Sequence, residues 1–223
     1  MKKPVVDYRK LRPSNIGSKE YRHLFLLLSW IAYFLAYFLT ENLIPESACH
    51  VIHSTVDDLI PFLPGFVMVY VFWYILVFAS LLYFLLYDIK SFKYLQTYIM
   101  WTQIIAVIIY IVYPSVQYLR PTDMQVTGFF TWVLNIIYTA DTPTGVCPSL
   151  HVGYSIAIAS AWLEKKDAPL WCKIFVTVMV MLICISVMFV KQHSFIDVIA
   201  ALVMCLVIKL GFIIFKAIKK PQS

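Results

Sequence analysis

The sequence predicts an all-α fold, a polytopic membrane protein in which six transmembrane helices form a bundle and both termini are cytoplasmic. Three observations lead to this prediction. The chain of 223 residues is 61% hydrophobic and only 13% charged, whereas a soluble domain carries about 25% charged residues. Six apolar runs approach the length of about 20 residues that a helix needs to cross a bilayer. The lysines and arginines concentrate on one side of those runs.

The six runs divide the chain into a membrane domain at 23–216 and two cytoplasmic tails, a basic one at 1–22 and a short one at 217–223. We expect no cleavable signal peptide, because the first run begins only at His23 and is long enough to span. The fourth run is the shortest and must therefore begin near Pro148. We place the transmembrane helices at 23–40, 65–87, 95–113, 148–163, 172–190 and 195–216.

The distribution of positive charge predicts the orientation in the membrane. Seven of the 18 lysines and arginines precede the first run, and the loops on the opposite side hold only Arg120 and Lys191. Short loops rich in Lys and Arg stay in the cytoplasm, so the loops at 41–64, 114–147 and 191–194 are expected to face outward. The net charge of +6 is thus explained by orientation and does not indicate nucleic-acid binding. The remaining cations on the cytoplasmic side are Lys90, Lys93, Lys165, Lys166, Lys173, Lys216, Lys219 and Lys220. Lys209, near the end of the last run, is expected to snorkel outward.

Two of the apolar runs begin with a histidine at the predicted outer face. These stretches read "PSLHVGYSIAIASAW", with His151, and "KQHSFIDVIAALV", with His193. His193 and Asp197 are four residues apart, which places them on one face of a helix. An aspartate there accepts a hydrogen bond from one ring nitrogen and leaves the other free as a nucleophile or base. His151 could supply a second proton-transfer group.

Three further residues on the outer side are suited to bind an anion. Arg120 has the forked donors that match a phosphate, and Lys191 adds a second positive charge. Ser149 stands where a helix begins, so that backbone N–H groups there face an anion as well. Two histidines, one carboxylate, two cations and a helix start together indicate phosphoryl transfer through a histidine.

Other interpretations of the same residues remain open. The sequence "SFID" fits a capping box, in which Ser194 caps a helix and Asp197 reaches back to it. A zinc site could be formed by His151, His193 and Asp197, although no metal-binding helix motif supports it. The polar cluster could also belong to a transporter or channel without catalytic activity. Asp141 fits either a turn or a contact to a substrate headgroup.

Two outer segments carry further predictions. The run at 127–138 is too short to span, and we expect an interfacial or re-entrant helix that lines the entrance for lipid. Cys49 and Cys147 share the outer side, where a disulfide between them could form in an oxidising space.

The ordered motifs resemble those of the type-2 phosphatidic acid phosphatase superfamily of membrane lipid phosphatases and phosphotransferases. Arg120-Pro121 matches the end of the first motif, and "PSLH" at 148–151 matches the second with Leu150 in the place of a glycine. His193 and Asp197 match the end of the third motif, whose opening serine corresponds to Ser186. The stretch "DDLIPFLPGFVMVYVFWY" also resembles a bacterial branch of the superfamily, and the likeness covers roughly residues 57–210.

Two positions depart from the pattern of this superfamily. Tyr113 occupies the place of the lysine of the first motif, and Val187 that of the arginine that follows the serine of the third. Lys191, two residues before His193, is a candidate substitute for one of these cations. Similar reduced patterns occur in sphingolipid-synthase-like relatives, which move phosphoryl-headgroups between lipids. The resemblance therefore leaves two reactions open, hydrolysis of a lipid phosphate or pyrophosphate and transfer to a lipid alcohol.

The resemblance implies a role for each residue of the site. His193 attacks phosphorus to form a phosphohistidine, Asp197 orients it, and His151 protonates the leaving alkoxide and then activates the acceptor. Phosphate would be bound by Arg120, Ser149 and Lys191, with Asp141 and Tyr113 as further positions near the substrate. The implied enzyme uses no metal or other cofactor and takes phosphorylated lipids from the outer leaflet, most simply of a bacterial plasma membrane.

Overall fold

The predicted all-α class is confirmed by a computed structural model, which describes residues 3–219. Lys220 and the rest of the predicted C-terminal tail beyond Lys219 lie outside the described residues. Within 3–219 the only strands are two of two residues each, β1 (His50–Val51) and β2 (Ser115–Val116). The α-helices of this part of the chain are α1 (Leu28–Leu43), α2 (Thr55–Leu59), α3 (Val67–Tyr87), α4 (Ile89–Val112), α5 (Phe129–Ala140), α6 (Leu150–Glu164), α7 (Leu170–Phe189) and α8 (Phe195–Ile218).

Five helical segments in the described chain are long and apolar enough to cross a membrane. They contain 20 to 24 residues, with a mean hydropathy of 1.7 to 2.8 over their most apolar windows. Two of them include a preceding 3-10 turn, before α1 and before α3. Large apolar side chains such as Phe34, Phe78 and Val203 are exposed on them, as expected for helices whose surroundings are lipid. The five segments are Arg22–Leu43, Pro64–Tyr87, Ile89–Val112, Leu170–Phe189 and Phe195–Ile218.

The fourth predicted span, α6, differs from these five because it lies at the centre of the bundle. It packs against α3, α4, α7 and α8. Its 15 residues extend about 22 Å at 1.5 Å per residue, less than the hydrocarbon thickness of about 30 Å. A helix surrounded by protein does not have to match the full hydrocarbon thickness, because other helices cover its ends. Gly153 permits the close packing, since a Cβ there would lie 3.3 Å from Met204 Cε on α8.

The basic N-terminal tail folds back onto one end of the bundle, called here the basic end. The N–H of Val5 donates to the carbonyl of Leu86 at 2.8 Å, at the end of α3. Beside it, Lys165 Nζ donates to Asp88 Oδ2 at 2.7 Å. This ion pair joins the α6–α7 loop to the α3–α4 loop, so the tail and both basic loops meet at the same end.

The opposite end, called here the site end, is built from the loops 44–66, 113–149 and 190–194. β1 and β2 pair in parallel there, with His50 opposite Ser115, and Gln117 Nε2 donates to the carbonyl of Lys191 at 3.1 Å. The short helix α5 packs here against α3 and the turn Pro64–Phe66, with Leu134 buried and Trp132 exposed. It is too short to span, in agreement with the prediction for 127–138.

Two possibilities that the sequence left open are decided by the structure. Lys209 does not point away from the bundle: its Nζ donates to Tyr94 Oη at 2.8 Å, to Ser160 Oγ at 2.9 Å and to the carboxylate of Glu164. Three polar groups on α4 and α6 therefore satisfy the ammonium. Cys49 and Cys147 form no disulfide, since all five cysteines are free thiols.

Candidate active site

His193 lies in the tight turn that joins α7 to α8. The turn closes with two hydrogen bonds, from the N–H of Lys191 to the carbonyl of Met188 at 3.0 Å and from the N–H of Gln192 to that of Val187 at 2.9 Å. This pattern is a Schellman motif, which places the residue after the helix cap in the left-handed region. That residue is Lys191, with φ at 54°, where glycine is the usual choice because it has no Cβ. A strained lysine thus stands two residues before His193.

Asp197, in the first turn of α8, pairs with two residues that directly precede the helix. Its Oδ2 lies 3.2 Å from His193 Nδ1 and accepts the N–H of Ser194 at 3.0 Å. The helix cap and the pairing with His193, which the sequence left as alternatives, are therefore both present, and both use Oδ2 of Asp197. An ionised Asp197 can only accept a hydrogen bond, so this pairing favours the tautomer that carries the proton on Nδ1 and leaves Nε2 of His193 as the free nitrogen.

That free nitrogen faces His151. Nδ1 of His151, in the first turn of α6, lies 3.3 Å from His193 Nε2. Aromatic rings enclose the His151 imidazole, with ring centroids of Tyr70 and Trp73 at 4.6 and 4.3 Å. Its Nε2 is buried and has no hydrogen-bond partner within 3–219. The His151 ring is therefore shielded from water on its far side and open toward His193.

A direct link between the two helix starts brings the histidines together. The N–H of Ser149 donates to the carbonyl of Asp197 at 3.2 Å, and the hydroxyl of Tyr110 donates to the carbonyl of Pro148 at 2.9 Å. Ser149 itself is the N-cap of α6, and its Oγ accepts the N–H of Val152 at 3.5 Å. The N-termini of α6 and α8 therefore converge, and both helix dipoles favour an anion at this point.

Arg120 is held beside His193 through Gln192. Its Nη2 donates to Gln192 Oε1 at 2.6 Å, and its Nη1 to the carbonyl of Asp141 at 2.8 Å. The guanidinium carbon lies 4.8 Å from the ring centroid of Tyr138. These partners are neutral oxygens and a ring face, so the positive charge is fixed in place and is only partly balanced.

Asp141 supplies the negative charge nearest to that guanidinium, with Oδ2 3.7 Å from Arg120 Nη2. Tyr37 Oη donates to its Oδ1 at 3.5 Å. Burial raises the pKa of Asp141 above its usual value, and the positive charges of Arg120 and His193 counter that shift only in part.

The structure does not bring every predicted phosphate ligand to the histidine pair. The ammonium of Lys191 donates to the carbonyls of Asp57 and Ile60 at 3.0 and 2.6 Å, so it ties down the loop before α3. Tyr113 is exposed and stacks on His50 at a centroid distance of 4.1 Å. Of the predicted ligands, Arg120 and the helix start at Ser149 adjoin the pair.

Four residues of the site were not singled out in the sequence. Gln192 positions Arg120, while Tyr70 and Trp73 pack on His151. Tyr70 and Trp73 are three residues apart, a spacing that places both on one face of α3 and that could have marked them as a pair. The local signal for Asp57 was only its capping box with Ser54, because its partners in the site come from a segment more than 130 residues away.

Within residues 3–219 no group of three or more His, Cys, Asp or Glu side chains is arranged to hold a metal ion. No protein-family model matches the chain, and no curated protein or solved structure is significantly similar to it.

Proposed function

We propose that this chain is an integral membrane enzyme that hydrolyses a lipid phosphate or pyrophosphate through a phosphohistidine, as the resemblance to the type-2 phosphatidic acid phosphatase superfamily implies. The observation that supports it most directly is the 3.3 Å separation of His193 Nε2 and His151 Nδ1. A nucleophile and an acid within hydrogen-bond reach of each other can both contact one phosphoryl group.

In the proposed reaction, His193 Nε2 forms a bond to phosphorus while the bond from phosphorus to the lipid oxygen breaks. His151, which begins as an imidazolium, gives its Nδ1 proton to that leaving oxygen and becomes a neutral imidazole. Asp197, on Nδ1 of His193, stabilises the positive imidazole that results. His151 then takes a proton from water, whose oxygen attacks phosphorus and breaks the N–P bond. The bound phosphoryl group replaces the direct contact between the two rings.

The charge available for the phosphate favours transfer as a second candidate. Tyr113 and Val187 are neutral where the superfamily has cations, and the ammonium of Lys191 is held by two carbonyls. Arg120 then remains as the cation beside the pair. A single guanidinium suits a singly charged phosphodiester better than a doubly charged monoester. In that case a lipid alcohol would replace water as the acceptor.

We also propose that α6 is a sixth crossing and that the site end faces outward, from a bacterial plasma membrane. The basic end carries the Lys- and Arg-rich segments that stay in the cytoplasm. The exposed positions Glu46 and Lys166 lie at opposite ends. In a Cys49→Ser background, Glu46→Cys should react with a membrane-impermeant maleimide on intact cells and Lys166→Cys only after lysis. The reverse pattern would refute the orientation.

The catalytic proposal is tested by phosphate release from a panel of lipid monophosphates and pyrophosphates, by purified parent and variants. His193→Ala and Asp197→Asn should lose turnover. His53→Ala is the matched control, because His53 is an exposed imidazole at the site end that pairs with Asp58. Equal release by the parent and His193→Ala would overturn the proposal. Adding a lipid alcohol, followed by mass spectrometry, separates the reactions, since only a transferase forms a new phospholipid.

A further inference from the structure

Asp57 is a buried carboxylate on the short helix α2, at the site end. It opens the stretch "DDLIPFLPGFVMVYVFWY" but belongs to none of the three motifs that supply the histidine site. Only 2% of its surface is exposed. Its Oδ2 accepts the hydroxyl of Ser194 at 2.6 Å, and its Oδ1 accepts the N–H of Phe195 at 2.7 Å. The N–H of Ser54 donates to the same Oδ2 at 2.8 Å. Both carboxylate oxygens are therefore engaged, and two of the three donors belong to the start of α8.

The main chain around Asp57 is attached to the other side of His193. The ammonium of Lys191 donates to the carbonyls of Asp57 and Ile60. His193 therefore lies between two anchor points, Lys191 before it and Ser194 after it, and both are attached to the same five-residue helix and its end. Lys191 adopts its left-handed backbone within this attachment.

The contacts of Asp57 require its negative charge. Burial by itself raises the pKa of the Asp57 carboxyl, but the hydrogen bonds from Ser194, Phe195 and Ser54 outweigh burial and lower it below its usual value. Asp57 is therefore ionised at neutral pH and places a negative charge at the N-terminus of α8, where the helix dipole is positive.

We infer that Asp57 is a positioning residue for His193: by holding Ser194 and Phe195 directly, and Lys191 through its carbonyl, it fixes the direction in which His193 Nε2 points. This inference rests on the proposed function and names a residue that the motifs leave out. It follows from geometry: Asp57 fixes the backbone at the start of α8, Asp197 holds Nδ1 of the ring, and a shift of that backbone would carry Nε2 away from His151.

The substitution Asp57→Asn tests this, because it keeps the shape of the side chain but replaces one acceptor oxygen with a donor NH₂. Asp58→Asn is the matched control, since Asp58 is the neighbouring residue but is exposed and pairs with His53. We expect Asp57→Asn to lower kcat by about 10- to 100-fold, as displacements of a catalytic group do. KM should change by less than about threefold, and Asp58→Asn should leave both unchanged.

A residue that merely stabilises the fold would give a different result. It would lower the fraction of folded enzyme while leaving kcat per active site unchanged, where active sites are counted by trapping the phosphohistidine. That result, or equal kcat in Asp57→Asn and Asp58→Asn, would overturn the inference. If Asp57→Asn gives no folded protein, Ser194→Ala removes the same hydrogen bond from the other partner. It should lower kcat in the same way, and an unchanged kcat would refute the inference.

A second measurement keeps this inference distinct from the proposed function. Diethyl pyrocarbonate modifies free imidazole nitrogens, and mass spectrometry reports its rate at His193 without any substrate. We expect that rate to change at least about threefold in Asp57→Asn relative to Asp58→Asn, since Nε2 leaves its contact with His151. An unchanged rate would refute the positioning role. The parent could release phosphate from no substrate while the modification rate still changes in Asp57→Asn. That combination would refute the proposed function but retain the positioning role.

Discussion

The imidazoles of His151 and His193 meet edge to face, with ring centroids 5.5 Å apart and an interplanar angle of 60°. They belong to different helices and lie 42 positions apart in the chain. In this arrangement Nδ1 of one ring is directed at Nε2 of the other, while Asp197 occupies the remaining nitrogen of His193. The two rings thus differ in their partners, and the proposed mechanism assigns the nucleophile to His193 and the proton carrier to His151.

The first prediction separates these two roles. His151→Ala should slow turnover of a lipid phosphate by about 10²- to 10⁴-fold, the usual contribution of general acid–base catalysis. With a nitrophenyl ester, whose leaving group needs no proton, the first step should survive and phosphorylated His193 should accumulate. Acid quenching and mass spectrometry measure that species. If it disappears as fast in the variant as in the parent, His151 does not activate the acceptor.

The second prediction concerns the two donor nitrogens, Nη1 and Nη2, of the Arg120 guanidinium. Arg120→Lys keeps the charge but cannot reach Gln192 Oε1 and the carbonyl of Asp141 together. We expect kcat/KM to fall by about 10- to 100-fold, equivalent to the roughly 1.5–3 kcal/mol of a hydrogen bond to a charged group. Steady-state kinetics with one lipid phosphate measures it. An unchanged kcat/KM would mean that the guanidinium does not contact the phosphate.

The third prediction uses the left-handed backbone of Lys191. Lys191→Met removes the ammonium that ties Asp57 and Ile60 but keeps a Cβ at φ 54°. Lys191→Gly removes the same ammonium and also relieves the strain. The glycine variant should therefore be the more stable of the two by about 1 kcal/mol, as measured by thermal unfolding in detergent. Equal stability would show that the backbone at this position stores no strain.

The fourth prediction follows from the raised pKa of Asp141. A carboxyl with a raised pKa holds its proton more tightly in the folded protein than in the unfolded chain. Its contribution to the free energy of unfolding therefore falls as pH rises from the ordinary value of 3.8 through the raised one. Asp141→Asn should flatten this part of the stability profile and should not lower the unfolding midpoint at pH 7.

Unfolding midpoints of both proteins across this pH range measure the effect, with Asp123→Asn as a control on an exposed aspartate. A profile of the same slope in the parent and in Asp141→Asn would mean that burial does not disfavour the charge of Asp141.

The start of α8 is the part of the site that the sequence predicts best, because the capping box of Ser194 and the pairing of His193 both point to Asp197. The four-residue spacing of His193 and Asp197 predicted a contact on one helix face, because such contacts depend only on helical geometry. The lengths of the apolar runs located the five long apolar helices, although α4 begins at Ile89, earlier than the predicted residue 95. Lys191 was different, since its charge marked it as a phosphate ligand and its contacts show it bound to a loop.

The sequence by itself determined the helical membrane architecture, the grouping of the basic segments at one end and the chemical types gathered at the other. Hydropathy and helical spacing are local properties, and a chain of 61% hydrophobic residues leaves few other solutions in lipid. Tertiary structure alone decided that the N–H of Ser149 bonds to Asp197, that Asp57 holds the start of α8, and that the ammonium of Lys191 is already occupied. These contacts join segments far apart in the chain, and no local pattern encodes which distant partner a polar group will meet.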